Sequence, residues 1–130
     1  MVDKWQAQQA FWSSFGLRAY DENTVPDTYI DEHGNEQKNE MPYITYQAVI
    51  GSLDGVMVVS ASLWYRGNSW AAISQKATEM ETSVNQQIKI DGGYLKIRKP
   101  ISNFAQRMDE PNDRLVRRMR LQVEMEFLSE

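Results

Sequence analysis

Hydrophobic positions recur along this chain with two different periods. Over residues 3–17, Trp5, Phe11, Trp12 and Phe15 fall on one side at 100° per residue, with Gln6 and Gln9 off it, which predicts an amphipathic helix. Asp3 stands in its first turn, where a carboxylate complements the helix dipole, and Gly16 supplies a stop. An aromatic stripe at this spacing is far more often core packing than a ligand box. Farther along, the residues favour strands. Pro42 opens a β-branched and aromatic run from Tyr43 to Ile50, Gly51-Ser52-Leu53-Asp54-Gly55 turns the chain, and Val56 to Tyr65 returns, which predicts a β-hairpin. After Arg66-Gly67-Asn68, Ser69 is placed to cap a second helix, in which Trp70, Ile73, Ala77, Met80, Val84 and Ile88 recur at three/four spacing. A helix of ~18 residues would be about 27 Å long, enough to cross a sheet. Asp91-Gly92-Gly93 turns into a short strand, Tyr94 to Arg98, and residues 100–112 read as irregular. The last strand is the most regular: Leu115, Met119, Leu121, Val123, Met125 and Phe127 fall on odd positions. Arg118, Arg120, Gln122, Glu124 and Glu126 alternate with them, and Arg117 interrupts the apolar face near its start.

The order helix, two strands, helix, two strands (αββαββ) predicts an α+β fold. In it, two helices pack on a mainly antiparallel four-stranded sheet as a two-layer sandwich. One stretch stands outside that scheme. Arg18-Ala19-Tyr20-Asp21 reads as a short strand, and the residues after it are acidic and turn-rich, with His33-Gly34-Asn35 as a hairpin tip preceded by Tyr29-Ile30. The segment at about 21–41 is therefore expected to be a projecting arm or loop that is mobile in the free protein and orders on a partner. The chain of 130 residues fits a single domain with a core large enough to need no staple.

Composition narrows the chemistry more than it identifies a function. With no cysteine, the chain has no disulfide, thiolate zinc site, iron–sulfur cluster or Cys nucleophile. No stretch reaches the ~18 consecutive apolar residues of a membrane span. The opening Met1-Val2-Asp3-Lys4-Trp5-Gln6 has no apolar signal-peptide core, which predicts a soluble, cytoplasmically made protein that is not exported. His33, the one histidine, sits in a polar turn without a positioned nucleophile, so a catalytic triad is unsupported. Asp21, Glu22, Asp27, Asp31 and Glu32 do not have the spacing of a calcium loop, and Gly92-Gly93 is too short to cradle a phosphate. The expectation is no enzyme, no cofactor and no metal.

Charge adds a direction. The net charge of -4 combines two opposed blocks: residues 1–40 hold three basic and eight acidic side chains, residues 92–120 eight basic and three acidic. Such asymmetry suits head-to-tail contact between subunits or a basic patch for nucleic acid, beside the bland reading of two solvated faces. Arg114, Arg117, Arg118 and Arg120 gather with Lys96, Arg98 and Lys99, but Glu124 and Glu126 share the face of Arg118 and Arg120. Cross-strand salt bridges or a subunit contact are therefore favoured over a nucleic-acid reader.

The ordered strings carry a resemblance over nearly the whole chain. An aromatic helix ending in Phe15-Gly16 is followed by Ala19-Tyr20-Asp21-Glu22-Asn23-Thr24-Val25-Pro26 and by Pro42-Tyr43-Ile44-Thr45-Tyr46. Then come Ala61-Ser62-Leu63-Trp64-Tyr65-Arg66 with Ser69-Trp70, the Gly92-Gly93 turn, Asn103-Phe104-Ala105-Gln106-Arg107-Met108, and Arg117-Arg118-Met119-Arg120-Leu121 through Glu126-Phe127-Leu128. Together they resemble the tail terminator, or minor capsid, proteins of long-tailed bacteriophages and prophages. The resemblance implies a lambda-tail-terminator type of α+β fold and a structural role without catalytic residues. It implies a ring, typically a hexamer, at the head-proximal end of the tail that ends tube polymerisation and joins tail to head. The partners would be copies of itself, the tail-tube protein and a head or neck connector protein, in a virion assembled in the bacterial host cytoplasm, with no membrane involved. The acidic stretch 27–41 departs from the family as an insertion. Within such a ring, Trp64, Tyr65, Arg66, Trp70, Tyr29, Ile30, Arg114 and Arg117 are the candidate interface residues, because aromatics and Arg dominate binding energy. Trp64 and Trp70 equally suit a core position where hairpin meets helix. Arg118 and Arg120 are candidates to face passing DNA in the lumen. The alternatives are a head-closure or adaptor protein of the phage neck, and a small nucleic-acid-binding α+β module.

Overall fold

A computed structural model describes residues 2–22, 24–49 and 55–129. Among them are two helices and nine strands: α1 (Lys4–Ser13), β1 (Ala19–Asp21), β2 (Thr28–Ile30), β3 (Glu36–Lys38), β4 (Tyr43–Tyr46), β5 (Val56–Arg66), α2 (Ala71–Glu81), β6 (Gln86–Ile90), β7 (Gly93–Arg98), β8 (Ala105–Met108) and β9 (Val116–Ser129). The main sheet runs β1-β4-β5-β9-β7-β6, with β8 joined to β9 on the same edge as β7. All pairings are antiparallel except β1 with β4. β2 and β3 form a separate two-stranded hairpin.

The predicted four-stranded αββαββ sandwich is therefore corrected to a curled, mixed, mostly β sheet of seven strands that forms a half-barrel. Three local misreadings account for the difference. The predicted second helix of ~18 residues stops at Glu81, and Ile88 lies instead in β6, hydrogen-bonded to β7. Residues Val84, Ile88 and Ile90 continue an apolar spacing that either structure satisfies, but the Ile-rich run prefers a pleated surface. The stretch expected to be irregular contains β8, too short to read from four residues. β1, expected as a short strand outside the scheme, joins the sheet as a parallel edge beside β4.

The long central pair follows the alternation of its residues. β5 and β9 pair over their whole facing length, from Val56 opposite Glu126 to Arg66 opposite Val116. Met119, Leu121, Val123, Met125 and Phe127 are all buried on one face, joined there by Val59, Ala61 and Leu63 of β5 and by Leu95 and Ile97 of β7. Leu115 precedes the strand and is exposed. The turn predicted at Gly51 to Asp54 lies outside the described residues, yet the strands it connects pair as expected, Tyr43 opposite Trp64 through Tyr46 opposite Ala61. Gly93 fits β7 against β9 because a Cβ there would stand 1.8 Å from the Leu128 carbonyl oxygen.

The helix α1 explains the curl. Asp3 caps it with a reciprocal box to Gln6, and Phe11, Trp12 and Phe15 make edge and tilted ring contacts in the core. Trp5, placed on the same stripe by periodicity, is largely exposed instead. The helix touches both ends of the sheet. Gln9 donates to the Ala19 carbonyl of β1 at 3.0 Å, while the backbone N–H of Asp91, just past β6, donates to the Val2 carbonyl at 2.9 Å. Ser14 also accepts from Gln86 of β6. A flat sheet of six strands spans roughly 24 Å, but a helix is only about 10–12 Å wide. Both ends of the sheet can reach one helix only if the sheet bends round it.

Gln8 is the polar keystone of this arrangement. It is fully buried, accepts from the Val49 N–H at 3.0 Å and donates to the Val49 carbonyl at 2.8 Å and the Lys4 carbonyl at 3.2 Å. Its amide stands in for a strand partner beyond the end of β4. α2 lies on the same buried face, with Ile73, Ala77 and Met80 turned inward.

Candidate functional site

The face of the sheet away from the helices carries its chemistry in rows. Alternation along β9 places Arg118, Arg120, Gln122, Glu124 and Glu126 there; β7 adds Lys96 and Arg98, and β5 adds Val58, Ser60, Ser62 and Trp64. Opposite charges meet across strands. Arg98 Nε lies 3.0 Å from Glu124 Oε2 and its Nη1 3.3 Å from Glu126 Oε1, and these carboxylates raise the guanidinium pKa further. Arg118 Nε lies 2.7 Å from Glu110 Oε1, and its guanidinium covers the Trp64 ring at 5.3 Å. Trp64 in turn donates from its indole to Thr45 Oγ1 at 2.8 Å. Trp64 is thus a half-buried wall of the open face, not a bare anchor. Arg120 keeps no carboxylate partner among the described residues and makes only a long 3.4 Å contact to Ser60 Oγ. A cleft of about 210 Å³ between these groups is lined by Glu22, Thr45, Ser60, Ser62, Arg118 and Arg120.

That face is mixed in sign. A nucleic-acid surface needs cations unmatched by nearby carboxylates, and of Arg98, Arg118 and Arg120 only Arg120 is unmatched among the described residues.

A second group gathers at the end of the sheet where β5 finishes and β9 begins. Trp70 precedes α2 and is flanked by two guanidinium groups, Arg107 at 5.0 Å and Arg117 at 5.5 Å from its ring centre. Arg117 faces the helix side of the sheet opposite Tyr65, and donates to the carbonyls of Arg114 and Asn68. The interruption of the β9 apolar face by Arg117 is thereby explained: its planar group covers Trp70 and binds loop carbonyls. Tyr65 is half-buried against the core, and burial, with Glu79 nearby, raises its pKa. Arg66 pairs with Asp113 at 2.8 Å, which lowers the Asp113 pKa together with the Leu115 N–H. Trp70, Met108, Asp109, Glu110, Pro111, Arg114, Val116 and Arg117 line an open cleft of about 410 Å³. Arg114 and Arg107 have no carboxylate partner among the described residues, and Asp109 lines the cleft as an exposed carboxylate. Trp70, Arg114 and Arg117 are three of the eight interface candidates and line this one cleft, whereas Arg107, outside that set, reaches Trp70 through the pairing of β8 with β9.

The third feature is the arm. β2 and β3 pair from Thr28 opposite Lys38 to Ile30 opposite Glu36, around a turn in which Gly34 has φ +81°. Asp31 organises that turn: its carboxylate accepts from the N–H groups of His33 and Asn35, each at 2.9 Å, and from the Gln37 amide at 3.0 Å. These bonds, Asn35 first, lower its pKa. At the base, Arg18 donates to Asn39 Oδ1 at 3.0 Å and to the Glu40 carbonyl, and stacks over Tyr29 at 4.1 Å. Asn39 also ties back to Pro26 and Asp27. The candidate Tyr29 is consequently engaged at home, while Ile30 is 66% exposed. His33 and Glu32 form an exposed pair at 3.5 Å.

No three His, Cys, Asp or Glu side chains converge to hold a metal among the described residues, and no described helix is long and apolar enough to cross a membrane. No protein-family model, curated protein or solved structure matches this chain.

Proposed function

We propose that this chain is a structural virion protein that forms a homo-oligomeric ring at the head-proximal end of a phage tail, ends tube polymerisation and joins the tail to the head. The observation that carries this reading is the β2–β3 arm. It is a hairpin with a well-built tip and a well-tied base, outside the main sheet, exposing Ile30 and a row of acidic side chains. An isolated two-stranded hairpin is only marginally stable in water, so its natural use is in contact with something else. A closed ring uses head-to-tail interfaces made from two different patches. Acidic arm and arginine-rich cleft supply two such patches of opposite sign. The ordered sequence motifs that resemble tail terminators support a position for the assembly at the end of a tail.

Electron microscopy of the protein mixed with growing tail tubes tests this reading. The expected result is a ring on one end of each tube and an end to elongation. Tubes that lengthen unhindered with bare ends would overturn it. Binding to a head-side connector ring but not to tubes would move the chain to a head-closure role.

A further inference from the structure

The arm and the Trp70 cleft differ in what they lack. From residue 24 to 41 the arm carries Asp27, Asp31, Glu32, Glu36 and Glu40 against Lys38 alone, His33 being neutral. Of these, Asp31 is engaged in its own turn, Glu32 lies 3.5 Å from the His33 ring, and Glu40 3.8 Å from Lys38. Glu36 and Asp27 have no cationic partner among the described residues. The cleft has the reverse shortage. Arg107, Arg114 and Arg117 meet no carboxylate among the described residues, while Glu110 and Asp113 are already paired with Arg118 and Arg66, which leaves Asp109 as one exposed acidic side chain in the cleft against three guanidinium groups. Arg117 Nε is buried without an acceptor among the described residues. Trp70, Met108, Pro111 and Val116 add apolar surface in the same cleft.

We infer that the acidic β2–β3 arm of one copy seats in the Trp70 cleft of a second copy, with Arg107, Arg114 and Arg117 as the receptor and Ile30 against Trp70 and Val116. This rests on the proposed ring and deepens it by assigning both halves of the interface. The geometry is consistent in reach. Residues 28–38 fold back on themselves, so each limb of about five residues extends roughly 16 Å, enough to cross a subunit boundary. The contact is heterologous, arm to cleft, and leaves every copy with one arm and one cleft to offer, as ring closure needs. Charge complementarity sets the register and speeds encounter, whereas the apolar centre at Trp70 supplies the buried anchor.

The test is a reciprocal charge exchange read by analytical ultracentrifugation at low and high salt. The Glu32→Lys/Glu36→Lys pair changes only exposed arm positions, and Arg107→Glu/Arg114→Glu changes only exposed positions, one over the Trp70 ring and one lining the cleft. Each variant alone is expected to weaken self-association at least about tenfold, because like charges then face each other. An equimolar mixture of the two variants is expected to recover association, as hetero-oligomers in which reversed arms meet reversed clefts. Circular dichroism checks that both variants keep the wild-type fold. Wild-type self-association that neither exchange weakens would overturn the arm–cleft contact while leaving the ring intact. Weakening by both without recovery in the mixture would overturn it as well. A wild-type chain that is monomeric at all salt and protein concentrations would also overturn it, and the tube-capping experiment then judges the ring reading separately.

Discussion

The two faces of β9 are built from alternating residues of one strand and yet obey different rules. On one, Met119, Leu121, Val123, Met125 and Phe127 are nine-tenths or more buried under α1 and α2. On the other, Arg118, Glu124 and Glu126 remain partly solvated and answer to charges on β7 and in the loop after β8. The first face is energetically costly to alter and has no freedom of partner. The second is cheap to alter for stability and free to choose. Substitutions on the open face can change its charge pattern without touching the core.

The comparison can be broken first on the buried side. Phe127→Ala, which removes a fully buried ring, is expected to cost about 4 kcal/mol in urea unfolding. A loss below about 1 kcal/mol would mean that the helix-covered face is not close-packed there. The next effect concerns a polar group inside the same layer. Gln8→Leu keeps the volume but strips both Val49 backbone groups of their partner, at an expected cost of about 2 kcal/mol. Hydrogen exchange should show the residues after β4 opening preferentially. Uniform destabilisation with no local opening would mean that the Gln8 bridge does not hold that edge.

Smaller effects belong to the exposed surfaces. Asp31 has a lowered pKa when folded, so the stability it lends is fully present above its unfolded value of 3.8 and is lost as pH falls from there through the folded value. Amide protection at His33 and Asn35 should therefore vanish in acid before protection in β5 and β9 does. Simultaneous loss would mean that the arm and sheet unfold as one unit. Strong protection of the arm throughout 21–40 in the isolated protein would also remove the expectation that it orders only on a partner. Last, Arg98→Ala breaks the contacts to Glu124 and Glu126 on the open face, and its effect on the unfolding midpoint is expected to be the smallest and to shrink with added salt. A large, salt-independent loss would make that row part of the core.

How much of this could be read along the chain differs element by element. β9 was legible because fourteen residues of near-strict alternation leave one solution. The hairpin tip at His33-Gly34-Asn35 was legible because the left-handed φ of Gly34 is a local demand met by a local residue. α2 was read too long because its apolar spacing runs on into β6, and only pairing with β7 decides between the two. The cleft was half legible. Arg114 and Arg117 are neighbours in sequence, but Arg107 reaches Trp70 through a strand pairing that no short-range pattern encodes.

The sequence by itself determined which residues are apolar, where the chain turns, the absence of thiol chemistry and the opposition of acidic and basic ends. Those are properties of single residues and short periods. Tertiary structure alone decided that the sheet has seven strands and curls, that α1 bridges its two ends, and that Gln8 replaces a missing strand partner. It also decided which arginines are already neutralised and which are left to bind. The physical reason is common to all of these. Each depends on groups distant in sequence satisfying one another's hydrogen bonds, charge or apolar surface, and that pairing exists only once the chain has closed on itself.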